Sequence, residues 1–144
     1  MKRQTTLFIG FLLLLLTPAW AQEPAPLKLP DTPAARLLEA YVKAFNTGKG
    51  VALREFHAKH DMRPNREDGN SADGEDKMQG LISMLGTLQV QRVEEPAPRE
   101  IRAFVKSNRG KWLAVWCQVK EDAPDKLSGF RLDRVPAPID EKQK

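Results

Sequence analysis

Met78-Gln79-Gly80-Leu81-Ile82-Ser83-Met84-Leu85-Gly86-Thr87-Leu88-Gln89-Val90-Gln91-Arg92-Val93 holds the change of period that decides the fold. Before Gly86, the apolar residues Met78, Leu81, Ile82 and Leu85 recur at three- and four-residue steps and share one helical face. After it, Leu88 and Val90 alternate with Gln89 and Gln91, the two-residue period of a half-buried strand. Gly86 stands at the stop position of the helix. Helical sequence lies before this point and strand sequence after it. The chain therefore reads as α+β, N-terminal helices packed on an antiparallel sheet, and not as alternating βαβ units.

Upstream, Asp31-Thr32-Pro33 offers a capping side chain followed by a proline in the first turn, where a missing amide costs nothing. Ala34, Leu37, Leu38, Tyr41, Val42 and Phe45 then mark one buried helical face until Asn46-Thr47-Gly48 ends it. Residues 50–60 read as a shorter helix with Val51, Leu53 and Phe56 inward and Arg54, Glu55 and Lys59 outward. Residues 61–76, with Asp68-Gly69-Asn70 and Asp73-Gly74 and almost no apolar side chains, read as a loop.

Downstream, the period predicts four strands, over 88–93, 100–106, 111–120 and 127–135. Turn formers at 95–98, 107–110 and 121–126 separate them, so neighbours should pair antiparallel as a meander. The third strand is apolar on both sides, with Leu113, Val115, Cys117 and Val119 on one and Trp112, Ala114 and Trp116 on the other. Helices should cover the first face and something else, such as a second subunit, the other.

The N-terminus has a basic start at Lys2 and Arg3, an apolar run over 7–16 interrupted by Thr17-Pro18, and Ala19-Trp20-Ala21 before Gln22. That is the pattern of a secretory signal peptide with cleavage after Ala21. The run is about half of the roughly 20 residues a membrane span needs, so no stable anchor is expected after cleavage. An extracytoplasmic location, periplasmic or secreted, follows. Loss of Lys2 and Arg3 lowers the formal charge from +4 to +2 and leaves 123 of 144 residues, one domain's worth. That small charge includes no basic run to neutralise phosphates, so nucleic acid is not an expected partner. Residues 22–31, with Pro24, Pro26 and Pro30, read as a linker, 32–136 as the domain and 137–144 as a polar tail. Cys117 is the single cysteine, which excludes an intrachain disulfide and, with no cysteine near residue 21, a lipoprotein attachment site.

The stretch Leu38-Glu39-Ala40-Tyr41-Val42-Lys43-Ala44-Phe45-Asn46-Thr47-Gly48, the helix end Leu85-Gly86-Thr87-Leu88, the strand start Gly110-Lys111-Trp112 and Pro124-Asp125-Lys126-Leu127-Ser128-Gly129-Phe130-Arg131-Leu132 resemble bacterial secreted domains of the nuclear transport factor 2-like superfamily. The resemblance spans roughly 32–136. It implies a cystatin-like, cone-shaped arrangement in which a curved antiparallel sheet wraps helices around a pocket. Similar domains often precede a serine hydrolase domain resembling β-lactamases, and the sequence ends shortly after the last strand without one. Within it no serine has a lysine three places later and no Gly-x-Ser-x-Gly elbow occurs, so serine-hydrolase chemistry has no candidate nucleophile of those types.

Other chemistry has few residues to rest on. His57, His60 and Asp61 suit zinc by ligand type but lack the His-Glu-x-x-His spacing, and two histidines at a helix end read as solvated. The oxygen-bearing side chains of Asp68, Asn70, Asp73, Glu75 and Asp76 could gather around calcium but miss the calcium-loop pattern, with Asp73 where glycine is required. Neither metal ion nor cofactor is expected. Cys117 reads as a buried, unreactive thiol. Phe104, Trp112 and Trp116 can stack on planar or sugar ligands, or pack in a core or dimer contact. Asp133 and His57 are candidates for acid-base work, although Asp133 alternates with Arg131 and suits an exposed ion pair.

The reading that results is a non-catalytic exported domain. It either binds a small apolar molecule through Tyr41, Phe45, Trp112, Trp116 and Arg131, or serves as an accessory and homodimerisation module. The alternative is a small pocket enzyme of the isomerase or cyclase kind using Asp133 or His57.

Overall fold

The computed structural model describes residues 27–61 and 72–137. Residues 1–21, read from sequence as a signal peptide, residues 22–26 of the expected linker, residues 62–71 of the expected loop, Asp68 and Asn70 among them, and residues 138–144 of the expected tail lie outside the described residues. Three helices, α1 (Pro33–Asn46), α2 (Gly50–His60) and α3 (Ala72–Leu85), precede four strands, β1 (Leu88–Ala97), β2 (Glu100–Ser107), β3 (Trp112–Val119) and β4 (Leu127–Val135). The strands form one antiparallel sheet in the order β1-β2-β3-β4, and Asp61 adds an isolated parallel bridge to Leu127. The fold is α+β, with helices first and an antiparallel meander after them. No helix of the described residues is long and apolar enough to cross a membrane.

Local chemistry sets the helix limits. Thr32 Oγ1 accepts a hydrogen bond from Ala35 N at 3.2 Å and Pro33 occupies the first turn, the cap that Asp31-Thr32-Pro33 forecast. Ala34, Ala35, Leu37, Leu38, Tyr41 and Phe45 are buried along α1, which lies across β1, β2 and β3. At its end Asn46 acts as a clamp. Its Nδ2 donates to Leu88 O at 2.8 Å and its Oδ1 accepts from Leu88 N at 2.7 Å, tying the helix to the first residue of the sheet.

Helices α2 and α3 touch closely at Gly50, where an added Cβ would come within 2.7 Å of Glu75 O. This contact corrects the loop reading of residues 61–76 over its last five positions, because α3 already begins at Ala72. Arg54 meets Glu75 at 2.9 Å, Gly50 N donates to Gln79 Oε1 at 2.8 Å, and Gly74 is buried, so tertiary contacts recruit turn-forming residues into a helix. At the other end Gly86 has φ +76° and a Cβ there would collide with the Asn108 side chain. Asn108 Oδ1 in turn accepts from Thr87 N at 3.1 Å.

The sheet also departs from the sequence reading at β1, which runs to Ala97 and not to Val93. Irregular pairing between Glu94 and Ala97 lets Pro96 sit in the edge strand without breaking a regular ladder. A second irregularity, at Gln91, puts both Val90 and Val93 against the core although they are three residues apart. The inner rows are then Val90, Val105 and Leu113; Val93, Ala103, Val115 and Leu132; and Ile101, Cys117 and Phe130. Residues 27–30 carry no helix or strand, yet Leu29 packs against the core beside α1.

Candidate functional site

On the helix side of the sheet the space is filled by side chains. Phe45, Leu38, Leu53, Leu85, Ile101, Leu113, Val105, Val115 and Cys117 are all but fully buried there. Tyr41 sits among rings, with centroids 4.5 Å from Phe130, 5.5 Å from Phe56, 6.1 Å from Phe45 and 6.2 Å from His57. Burial drives the Tyr41 hydroxyl well above its ordinary range, so it stays protonated. The same desolvation lowers the His57 pKa, opposed by the nearby Asp61 charge, and holds the imidazole neutral near neutral pH. His60, one turn on, directs Nδ1 to Asp125 O at 2.7 Å. Burial pushes the Cys117 thiol up to about 12, and its Sγ lies 3.7 Å from Ala34 O, the setting of an inert cysteine.

The outer face is built differently. Cross-strand rows there are Lys106, Trp112 and Val135; Arg92, Phe104, Ala114 and Asp133; Glu94, Arg102, Trp116 and Arg131; and Glu100, Gln118 and Gly129. Long cations cover the rings. Arg92 lies 4.6 Å and Arg102 5.7 Å from the Phe104 centroid, and Lys106 lies 5.7 Å from that of Trp112. This cladding shields Phe104 on β2 and Trp112 on β3 with groups of the chain itself and leaves Trp116 half-buried.

Within that layer one hollow of about 420 Å³ stays open, lined by Glu100, Arg102, Ala114, Trp116, Arg131 and Asp133. Ala114, 6% exposed, is its floor. Trp116 is pinned as one wall: Nε1 donates to Glu100 Oε1 at 2.8 Å, and its six-membered ring lies over Gly129, where a Cβ would be 2.4 Å from the ring. Gln118 Nε2 donates to the other oxygen of Glu100 at 3.3 Å, and Arg131 Nε meets Asp133 at 3.3 Å. Arg102 Nε stands 3.7 Å from Glu94. The hollow thus presents one aromatic wall, two guanidinium groups and two carboxylates held by short-range contacts.

A larger groove of about 650 Å³ runs between residues 27–31, α1 and the start of β1, with Leu29, Val42, Leu88 and Val90 among its lining. Part of its polar lining is engaged within the fold, where Asn46 clamps Leu88 and Arg36 pairs with Asp31 at 2.6 Å; Lys28 and Glu39 line it as well. It is the seam where the N-terminal segment ties down an edge strand.

The residues chosen from sequence divide between these places. Tyr41, Phe45 and His57 lie on the helix side; Trp112, Trp116, Arg131 and Asp133 lie on the outer face, so no one pocket is lined by all of them. Trp116, Arg131 and Asp133 converge on the hollow, and Trp112 stands in the next row, outside its lining. Glu100 and Arg102 were not singled out. Their alternation on β2 puts them on the face of Trp116 once the β2–β3 register is known, and that register is a tertiary property. Among the described residues, no three His, Cys, Asp or Glu side chains are grouped to hold a metal ion. No protein-family model matches the chain, and no curated protein matches it.

Proposed function

We propose that the chain is an exported, non-catalytic ligand-binding module of the nuclear transport factor 2-like type, with its ligand seat on the outer face of the sheet. Export is supported by the basic start, apolar run and Ala19-Trp20-Ala21 of the N-terminus. The family reading rests on the resemblance of residues 38–48, 85–88, 110–112 and 124–132, and the α+β order of helices before an antiparallel meander is compatible with it. The observation that carries the seat is the hollow over Ala114, where an aromatic ring and four charged side chains converge without serving the core. Fold stability alone gives no reason for a small residue at the centre of an aromatic, charged layer, because a larger side chain there would bury more apolar surface. The side chains that fill the helix side of the sheet favour a seat on its outer face over one between helices and sheet.

Native mass spectrometry of the chain, purified gently from the compartment into which its host exports it, tests the reading. The expected result is a retained small molecule that Ala114→Val releases while the circular dichroism spectrum is unchanged. A retained mass that survives Ala114→Val and is lost from Tyr41→Ala would overturn the outer seat and return the ligand to the helix side. One observation favours the enzyme alternative: His57 is held neutral among Tyr41, Phe56 and Phe130, as a base must be. Those rings pack on it in an aromatic cluster, which is why binding is preferred.

A further inference from the structure

We propose that the outer hollow is a seat for a neutral sugar ring, a pyranose whose apolar C–H face packs on Trp116 and whose hydroxyls bridge Arg131, Asp133, Arg102 and Glu100. This rests on the reading of that hollow as the ligand seat and names the class of its ligand. Charge comes first. Two guanidiniums and two carboxylates line the hollow, so a cation meets Arg102 and Arg131 and an anion meets Glu100 and Asp133. A wholly apolar ligand would strip water from four charged groups and return no hydrogen bonds, which is costly. A neutral polyol avoids all three penalties.

Donor and acceptor types point the same way. Guanidinium groups only donate and carboxylates only accept, while each sugar hydroxyl does both. Glu100 already accepts from Trp116 Nε1 and Gln118 Nε2, which orients the carboxylate and leaves lone pairs over. Arg131 and Asp133, two residues apart on β4 and 3.3 Å from each other, offer a donor beside an acceptor, the pairing that adjacent hydroxyls of a ring can bridge. The wall and floor supply the apolar half. Trp116 is fixed over Gly129, so it costs little entropy to use as a platform, and Ala114 leaves depth for a ring where any larger side chain would fill it. At about 420 Å³ the hollow is near the lower end of ligand pockets, roughly 300–1,000 Å³, the scale of one or two sugar rings.

The chain from Gln22 onward has two tryptophans, so its indole N–H region gives two NMR signals, with Trp112 as internal control for Trp116. Titration with the methyl glycosides of glucose, galactose, mannose and N-acetylglucosamine, and separately with benzoate and tetramethylammonium at constant ionic strength, tests the class. The expected result is a saturable shift of Trp116, and not of Trp112, with at least one glycoside and neither ion. Ala114→Val and Asp133→Asn should each weaken that binding by about tenfold or more, with the backbone spectrum still that of the folded chain. Saturation of Trp116 by benzoate or tetramethylammonium and by no glycoside overturns the sugar class and leaves the seat. No response to any probe, together with a retained mass indifferent to Ala114→Val, overturns the seat as well.

Discussion

On the inner face of β3, Leu113, Val115, Cys117 and Val119 are at most 2% exposed, while on the outer face Trp112 and Trp116 stay half-buried although each carries more apolar surface than any inner residue of the strand. The inner face is covered by a helix and the outer face by side chains alone. A helix layer removes water from a whole strand face at once; Arg92, Arg102 and Lys106 shield rings one at a time and leave gaps between them. Stability therefore resides on the inner face, and the proposed ligand seat lies on the outer one. Changes on the two faces should separate accordingly.

The largest effect belongs to the inner layer. Leu38, fully buried in α1, should cost about 2–5 kcal/mol as Leu38→Ala, read as a lower urea midpoint with unchanged slope. A loss below about 1 kcal/mol would mean that the helix side is loosely packed and the contrast between faces is unreal. Next is the clamp between helix and sheet. Asn46→Ala leaves both the Leu88 amide and the Leu88 carbonyl without that partner and should cost about 1–3 kcal/mol. Asn46→Asp keeps an acceptor for Leu88 N but loses the donor to Leu88 O, so it should fall between wild type and alanine.

Much of this contrast was legible from residue order. The α1 face from Ala34 to Phe45, its Thr32 cap, the turn to strands after Gly86 and the two faces of β3 all follow from local pattern, because period and capping are local physics. What was missed is non-local. The start of α3 depends on Glu75 meeting Arg54 and Gly50 across the chain, and the length of β1 depends on irregular pairing that accommodates Pro96. The site was legible in half. Trp116, Arg131 and Asp133 stood out as residue types, whereas Glu100 and Arg102 join them only through the β2–β3 register.

A smaller effect depends on pH. His57 has a lowered pKa in the folded chain because burial penalises its charged form, with Asp61 opposing. Below the ordinary histidine value, about 6.5, the unfolded chain takes up a proton that the folded chain resists, so this contribution is present above that pH and is lost as pH falls. The slope from one proton is at most about 1.4 kcal/mol per pH unit. Thermal midpoints of wild type and His57→Gln, measured between pH 7.5 and 5, should show the steeper acid loss in wild type. Parallel curves would mean that His57 is solvated, and the ring cluster on the helix side would then be open to water.

The smallest effect on stability should come from Gly129→Ala, and it probes the outer face most directly. Gly129 lies in β4 without a positive φ, so alanine is compatible with the backbone and reduces the entropy of the unfolded chain. Its Cβ would fall within 2.4 Å of the Trp116 ring, which must swing away and loosen the hydrogen bond from Nε1 to Glu100. Gain and loss oppose each other, so net stability should stay within about 0.5 kcal/mol while the Trp116 indole signal moves and that of Trp112 does not. If Gly129→Ala instead destabilises by more than about 2 kcal/mol, Trp116 is a structural anchor and the outer face is a second core. An unchanged fold with a displaced indole means that the chain keeps Gly129 to aim Trp116, a use of glycine that belongs to recognition and not to packing.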